Sequence, residues 1–139
     1  MAKDINDICL VIQARLSSER LPQKMILPFA GTNIMDIALE KITKLQSIDW
    51  KNSFYLSAYE PELKSIAEKY ELQIFHRSKE SAYSEGNPMS QMYEWHDKLN
   101  FKYCILINAC APFLKPETID EFIESYVDFL VTQLVHDPL

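Results

Sequence analysis

The sequence predicts an α/β fold of Rossmann-like, three-layer type, in which a parallel sheet is covered by helices on both faces. Three observations carry this expectation. Residues 8–14 form an unbroken apolar run with β-branched members, the pattern of a strand buried on both faces. Short runs of this kind then alternate with segments of helical apolar spacing, in the order β-α-β-α-β-α-β-α. Finally, Pro61, Pro88 and Pro116 each stand where a helix would open, a position that suits a residue without an N–H donor.

Taken in order, the first strand covers residues 8–14 and is followed by a basic loop. From Asn33, a candidate N-cap, the positions Ile34, Ile37, Ala38, Ile42 and Leu45 predict a helix to about Gln46. Residues 53–57 form the second strand, and Pro61 opens a helix whose inner face is Leu63, Ile66, Ala67 and Tyr70. Residues 72–75 form the third strand. Residues 76–87 lack periodicity, are rich in Ser and Glu, and hold Gly86, so they read as a loop. A third helix begins at Pro88 with Met89, Met92, Tyr93, His96 and Leu99 on its inner face; residues 103–107 are the fourth strand. The last helix opens at Pro116, with Ile119, Phe122, Ile123, Tyr126, Val127, Leu130 and Leu134 inside.

A chain of 139 residues is expected to form a single domain over 1–139, large enough to bury a real core. Its net charge of −6 argues against a nucleic-acid or membrane-surface partner. Cys9, Cys104 and Cys110 are an odd, widely spaced set, which argues against a disulfide framework or zinc site and fits a cytoplasmic protein. No apolar stretch reaches the ~20 residues that span a bilayer.

The chemistry gathers just after the first strand. Open α/β sheets bind ligands beyond the carboxyl ends of their strands. Arg15, Ser17, Ser18, Arg20 and Lys24 fall there, and a loop offering N–H groups, hydroxyls and three cations suits phosphate. The bland reading is a solvated loop. Likewise Arg77 after the third strand could be a surface salt bridge, Asn108 a loop cap, and Cys110 a buried small hydrophobe rather than a nucleophile.

Ala14-Arg15-Leu16-Ser17-Ser18-Glu19-Arg20-Leu21-Pro22-Gln23-Lys24 resembles the Ala-Arg-Gly-Gly-Ser-Lys-Arg-Leu-Pro-Gly-Lys signature of the sugar cytidylyltransferases. That family includes the CMP-sialic acid and CMP-KDO synthetases and the spore-coat polysaccharide members. Asn108-Ala109-Cys110-Ala111-Pro112-Phe113 looks like the segment after the family's fourth strand. The resemblance implies a nucleotide-diphospho-sugar transferase fold, here incomplete, because family members continue for roughly another half-domain. It implies CTP and a sugar as substrates, transfer of CMP with release of pyrophosphate, a homodimer, and Mg2+ with no ligand identified in this chain. It assigns catalysis to Lys24 and Arg15, and nucleotide binding to Ala14, Arg15, Leu16, Ser17, Ser18, Arg20, Lys24, Arg77, Gly86 and Asn108.

The chain departs from the pattern at four places. Leu16 and Ser17 replace frequent glycines, Met25 an asparagine of the acidic-sugar branch, and Cys110 an aspartate that binds magnesium in part of the family. Two alternatives stay open: a non-catalytic nucleotide-binding or assembly module that keeps only the first half of the fold, and a nucleotidyltransferase for another nucleotide.

Overall fold

The computed structural model describes residues 3–16, 24–83 and 88–128. Four parallel strands, β1 (Ile8–Gln13), β2 (Phe54–Ala58), β3 (Gln73–His76) and β4 (Tyr103–Ile107), lie side by side in the order β3-β2-β1-β4. The apolar run of β1 places it between β2 and β4, where all of its residues but Gln13 are buried. The sheet therefore grows from β1 through β2 to β3, and the chain then returns to add β4 on the opposite side.

Alternation along β1 divides the core. Ile8, Leu10 and Ile12 face the larger cluster, which is closed by α1 (Ile34–Ile42), α3 (Pro61–Lys69) and α7 (Pro116–Asp128). Cys9 and Val11 face the other side, under Trp95, Phe75, Tyr93, Leu99 and Phe101. That second layer is built from α5 (Met89–Met92) and α6 (Trp95–Lys98), with α4 (Lys79–Tyr83) before them; α2 (Trp50–Ser53) leads directly into β2. Helices thus cover both faces, long on one and short on the other.

Several boundaries and faces differ from expectation. The first helix stops at Ile42, and Met35, Ala38, Leu39 and Ile42 are its buried positions, so the inner stripe is rotated from the expected one that began at Ile34. The third helix breaks at Tyr93 (φ −113°, ψ 53°), which turns Trp95 into the core and leaves Met89 72% exposed and His96 on the surface. Phe122 points outward from α7, whose buried residues are Ile119 and Ile123, while Tyr126 and Val127 pack at the core's edge. Leu130 and Leu134 lie outside the described residues.

Asn33 caps α1 as expected: its Oδ1 accepts the Asp36 N–H at 2.7 Å. Asp36 then ties α1 to α3, accepting hydrogen bonds from Lys69 and from the Tyr70 hydroxyl. Burial pushes the Asp36 carboxyl up, but the bonds from Lys69, Tyr70 and Asn33 outweigh it and hold the group below its usual range. A group depressed on folding stabilises fully above its unfolded pKa of about 4 and loses that contribution as pH falls through its folded value. Asp36→Asn should therefore destabilise at neutral pH, with the difference from the unmodified protein shrinking below about pH 4. Urea unfolding across that range reads this out, and a pH-independent difference would remove the carboxylate from the account.

Candidate functional site

The reversal of strand order at β1 opens a crevice between the carboxyl ends of β1 and β4, the place where open α/β sheets bind ligands. A cleft of about 520 Å³ lies there. It is lined by Gln13 at the end of β1, Ala14 and Arg15 just after it, and Leu106 to Cys110 at the end of β4. Lys24, Met25, Arg77, Ser81, Met92 and Tyr93 complete the lining.

Lys24 is held there by its neighbour. Met25 is 3% exposed, its carbonyl accepts the Met35 N–H at 3.0 Å, and its sulfur lies 3.8 Å from the Cys110 thiol. The apolar side chain that replaces the family asparagine is thus an anchor for the loop's return, and the ammonium follows. Arg15 is exposed, and its Nη1 donates to the Ala82 carbonyl at 3.2 Å.

Arg77 is buried and not a surface residue, and among the described residues it has no salt-bridge partner. It is 5% exposed and donates from Nε to Ser81 Oγ at 2.8 Å, from Nη2 to the Ser81 carbonyl at 2.8 Å, and from Nη1 to the Ala14 carbonyl at 3.2 Å. Burial lowers its pKa first, and the nearby Arg15 lowers it further. Its place four residues before Ser81, across the first turn of α4, lets one guanidinium bind both the loop after β3 and the end of β1.

Glu60 makes the same connection from the other side. This 3%-exposed carboxylate accepts the Leu16 N–H at 2.8 Å and the Tyr83 hydroxyl at 2.8 Å through one oxygen, while its Oε1 is buried with no partner among the described residues. The bond to Glu60 pushes the Tyr83 phenol up to about 12. Arg15, Leu16, Glu60, Arg77 and Tyr83 therefore stitch the two loops that flank the cleft into one unit.

Of the residues expected at the site, Ala14, Arg15, Lys24, Arg77 and Asn108 line the cleft. Leu16 is buried and contributes its N–H to Glu60 instead. Ser17, Ser18, Arg20 and Gly86 lie outside the described residues. Asn108 also does what a loop cap does, since its Oδ1 accepts the Cys110 N–H at 2.8 Å. Cys110 is exposed and not a buried hydrophobe, because that cap turns it out at the cleft's edge. Sequence reasoning missed Glu60, Ser81 and Tyr93. The available signal was position: Glu60 follows β2, and parallel strands bring all their carboxyl ends to one edge.

Magnesium finds little support among the residues that line the cleft. They include no carboxylate, the Asn108 amide oxygen is already engaged, and a thiol is a poor partner for so hard a cation. No group of three or more His, Cys, Asp or Glu suited to a metal occurs among the described residues. The described residues therefore do not fit a protein-held magnesium ion.

Among solved structures the chain superposes on CMP:2-keto-3-deoxy-manno-octonic acid synthetase complexed with CTP, with a TM-score of 0.67, 15% identity, and coverage of 85% of this chain and 46% of that one. A cytidylyltransferase from Leptospira borgpetersenii serovar Hardjo-bovis gives a TM-score of 0.66 at 21% identity, over 86% of this chain and 48% of that one. Both have the fold described above. In sequence, the chain is 23% identical over 129 residues to the spore coat polysaccharide biosynthesis protein SpsF of Bacillus subtilis (strain 168), covering 89% of this chain and 51% of that protein. The chain thus spans about half the length of these relatives. A family model described as cytidylyltransferase matches residues 9–136, and with a match running through nearly the whole sequence the protein belongs to the cytidylyltransferase family.

Proposed function

We propose that this domain binds CTP in the cleft between β1 and β4, and that the protein transfers the CMP moiety to a sugar oxygen with release of pyrophosphate. The observation that supports the reading is the presence of both Arg15 and Lys24 in the lining of that cleft. Attack of a sugar oxygen on the α-phosphorus expels pyrophosphate, whose negative charge grows as the bond breaks. Fixed cations at the departing oxygens stabilise that charge more in the transition state than in the bound nucleotide. Arg15 would grip two oxygens at once and Lys24 would act as a point charge. Arg77 serves in this reading by holding the loop around the cytidine half.

CTP is expected to raise the melting temperature more than UTP, ATP or GTP, since ligands that bind only the native state stabilise it by mass action. Equal shifts from all four would remove the base assignment. Lys24→Ala and Arg15→Ala should each weaken triphosphate binding by about 1.5–3 kcal/mol, the contribution of a charge-assisted hydrogen bond. Titration calorimetry would read this as roughly a ten- to hundredfold rise in Kd. Unchanged affinity in both variants would put the phosphates elsewhere.

One observation favours the second reading, a nucleotide-binding module without turnover: the described lining offers no carboxylate to a metal. Under either reading the domain binds nucleotide, and the two differ in whether it is turned over. Pyrophosphate release with CTP and a panel of acidic and neutral sugars decides it. A homodimer belongs to the first reading, supported by Phe122, which is 56% exposed on α7, and sedimentation tests it.

A further inference from the structure

Away from the cleft residues, two thiols face one another across the sheet. Cys9 of β1 and Cys104 of β4 are register partners, so their side chains leave the same face, and their sulfurs lie 3.2 Å apart in a hydrogen bond. Cys9 is wholly buried in the cluster around Trp95, while Cys104 is only half-buried, on the strand at the sheet's edge. Two residues along β4, on the same face, Leu106 is 49% exposed, so the thin helical layer leaves this part of the sheet open.

We propose that Cys9 and Cys104 form a thiol-modification site that reacts with low-molecular-weight disulfides and closes to an intramolecular Cys9–Cys104 bond. Directly paired residues on neighbouring strands stand about 4.7–4.9 Å apart, inside the ~4.4–6.8 Å range of Cα separations that a disulfide bridges, so closure needs little backbone movement. The hydrogen bond from Cys9 holds the Cys104 thiol below its usual range despite burial, and the same bond, with desolvation, pushes Cys9 far up. The half-buried thiol is therefore the one that ionises and attacks.

With a reagent R–S–S–R the oxidation is a two-step thiol–disulfide exchange. Cys104 gives its proton to water, and its thiolate attacks one sulfur of the reagent, which breaks the S–S bond and releases R–S⁻, protonated to R–SH. The resulting mixed disulfide holds its Cys104 sulfur beside Cys9. Cys9 then loses its proton and displaces the second R–S⁻, which takes that proton. The protein loses two hydrogens and two electrons, and the reagent becomes two thiols. Closure ties the edge strand to β1 near the amino ends of both strands, at the opposite end from Arg15 and Asn108, and so pins the register in which the two strands pair.

The test incubates the folded chain with glutathione disulfide, alkylates the remaining thiols, and maps the peptides by mass. The expected result is a crosslinked peptide pair containing Cys9 and Cys104, at the summed mass of the two peptides less two hydrogens. Cys110→Ser should retain the crosslink and Cys104→Ser should lose it. Full alkylation of Cys9 and Cys104 after incubation overturns the proposal. So does a stable glutathione adduct on Cys104 without closure, or modification confined to Cys110. The unsubstituted chain alone can give each of these results, so the outcome does not depend on a variant folding.

Discussion

Trp95→Ala is expected to destabilise the protein by about 3–5 kcal/mol, the range for removing a large aromatic side chain from a core. Trp95 is the only large residue of its short helix that is buried, at 5% exposure, and it sits over Cys9 and Val11 on the thinly covered face of the sheet. Among the described residues only the short helices α4, α5 and α6 cover that face, so there is little to collapse into the gap. Its indole Nε1 also donates to Gln13 Oε1 at 2.9 Å, beside the hydrogen bond that Ser57 makes to the same oxygen. Trp95→Phe keeps most of the volume and loses that bond, for about 1 kcal/mol. Urea unfolding separates the two variants. A loss below 1 kcal/mol for the alanine variant would mean that this face contributes little to the core.

The second large effect is expected at Arg77. Arg77→Ala removes three charge-assisted hydrogen bonds and leaves the Ala14 carbonyl and Ser81 in a buried setting without their donor. Releasing the guanidinium from burial offsets part of this, so the net cost is about 2–4 kcal/mol. Arg77→Lys keeps the charge but lacks the planar fork, and one ammonium cannot reach three acceptors in these directions. It should therefore lose most of the same stability. Both variants should also weaken nucleotide binding more than a surface substitution does, because the loops carrying Arg15 and Tyr83 would no longer be fixed to one another. If Arg77→Lys matches the unmodified protein in both unfolding and nucleotide affinity, the clamp is not what the guanidinium supplies.

These two residues also mark where the sequence could and could not be read. Strands β1 and β2 were legible because a strand buried on both faces has to be a short apolar run, whatever surrounds it, and β4 because its run is apolar even though it lies at the sheet's edge with Leu106 exposed. The helix after Pro61 was legible because proline, apolar spacing and a following strand all agree. The segment from Pro88 was not: its apolar residues fit one continuous helical face, and only the packing of Trp95 against Cys9 and Val11 favours the break at Tyr93. Five residues of α4 are too few to display a period. At the site, strand ends and charge pointed to Arg15 and Lys24 and the family resemblance to Arg77, while the depth of Arg77 was hidden because an arginine is ordinarily exposed. Glu60 was hidden for the same reason, and its role depends on two loops that only the assembled sheet brings to it.

The pairing that floors the cleft joins parts of the chain far apart: Cys9 and Cys104, partners in register, are separated by 95 residues. Contacts of that span form slowly, since the intervening chain must be ordered before they are rewarded. During synthesis β1 can add β2 and β3 as they emerge, but its other edge waits for β4. Until then a strand of buried character shows an open row of backbone donors and acceptors, the kind of edge that recruits strands from other chains. Nucleotide cannot guide these early stages, because the surface it would recognise is assembled last. The yield of correctly folded protein should therefore respond to how quickly β4 arrives.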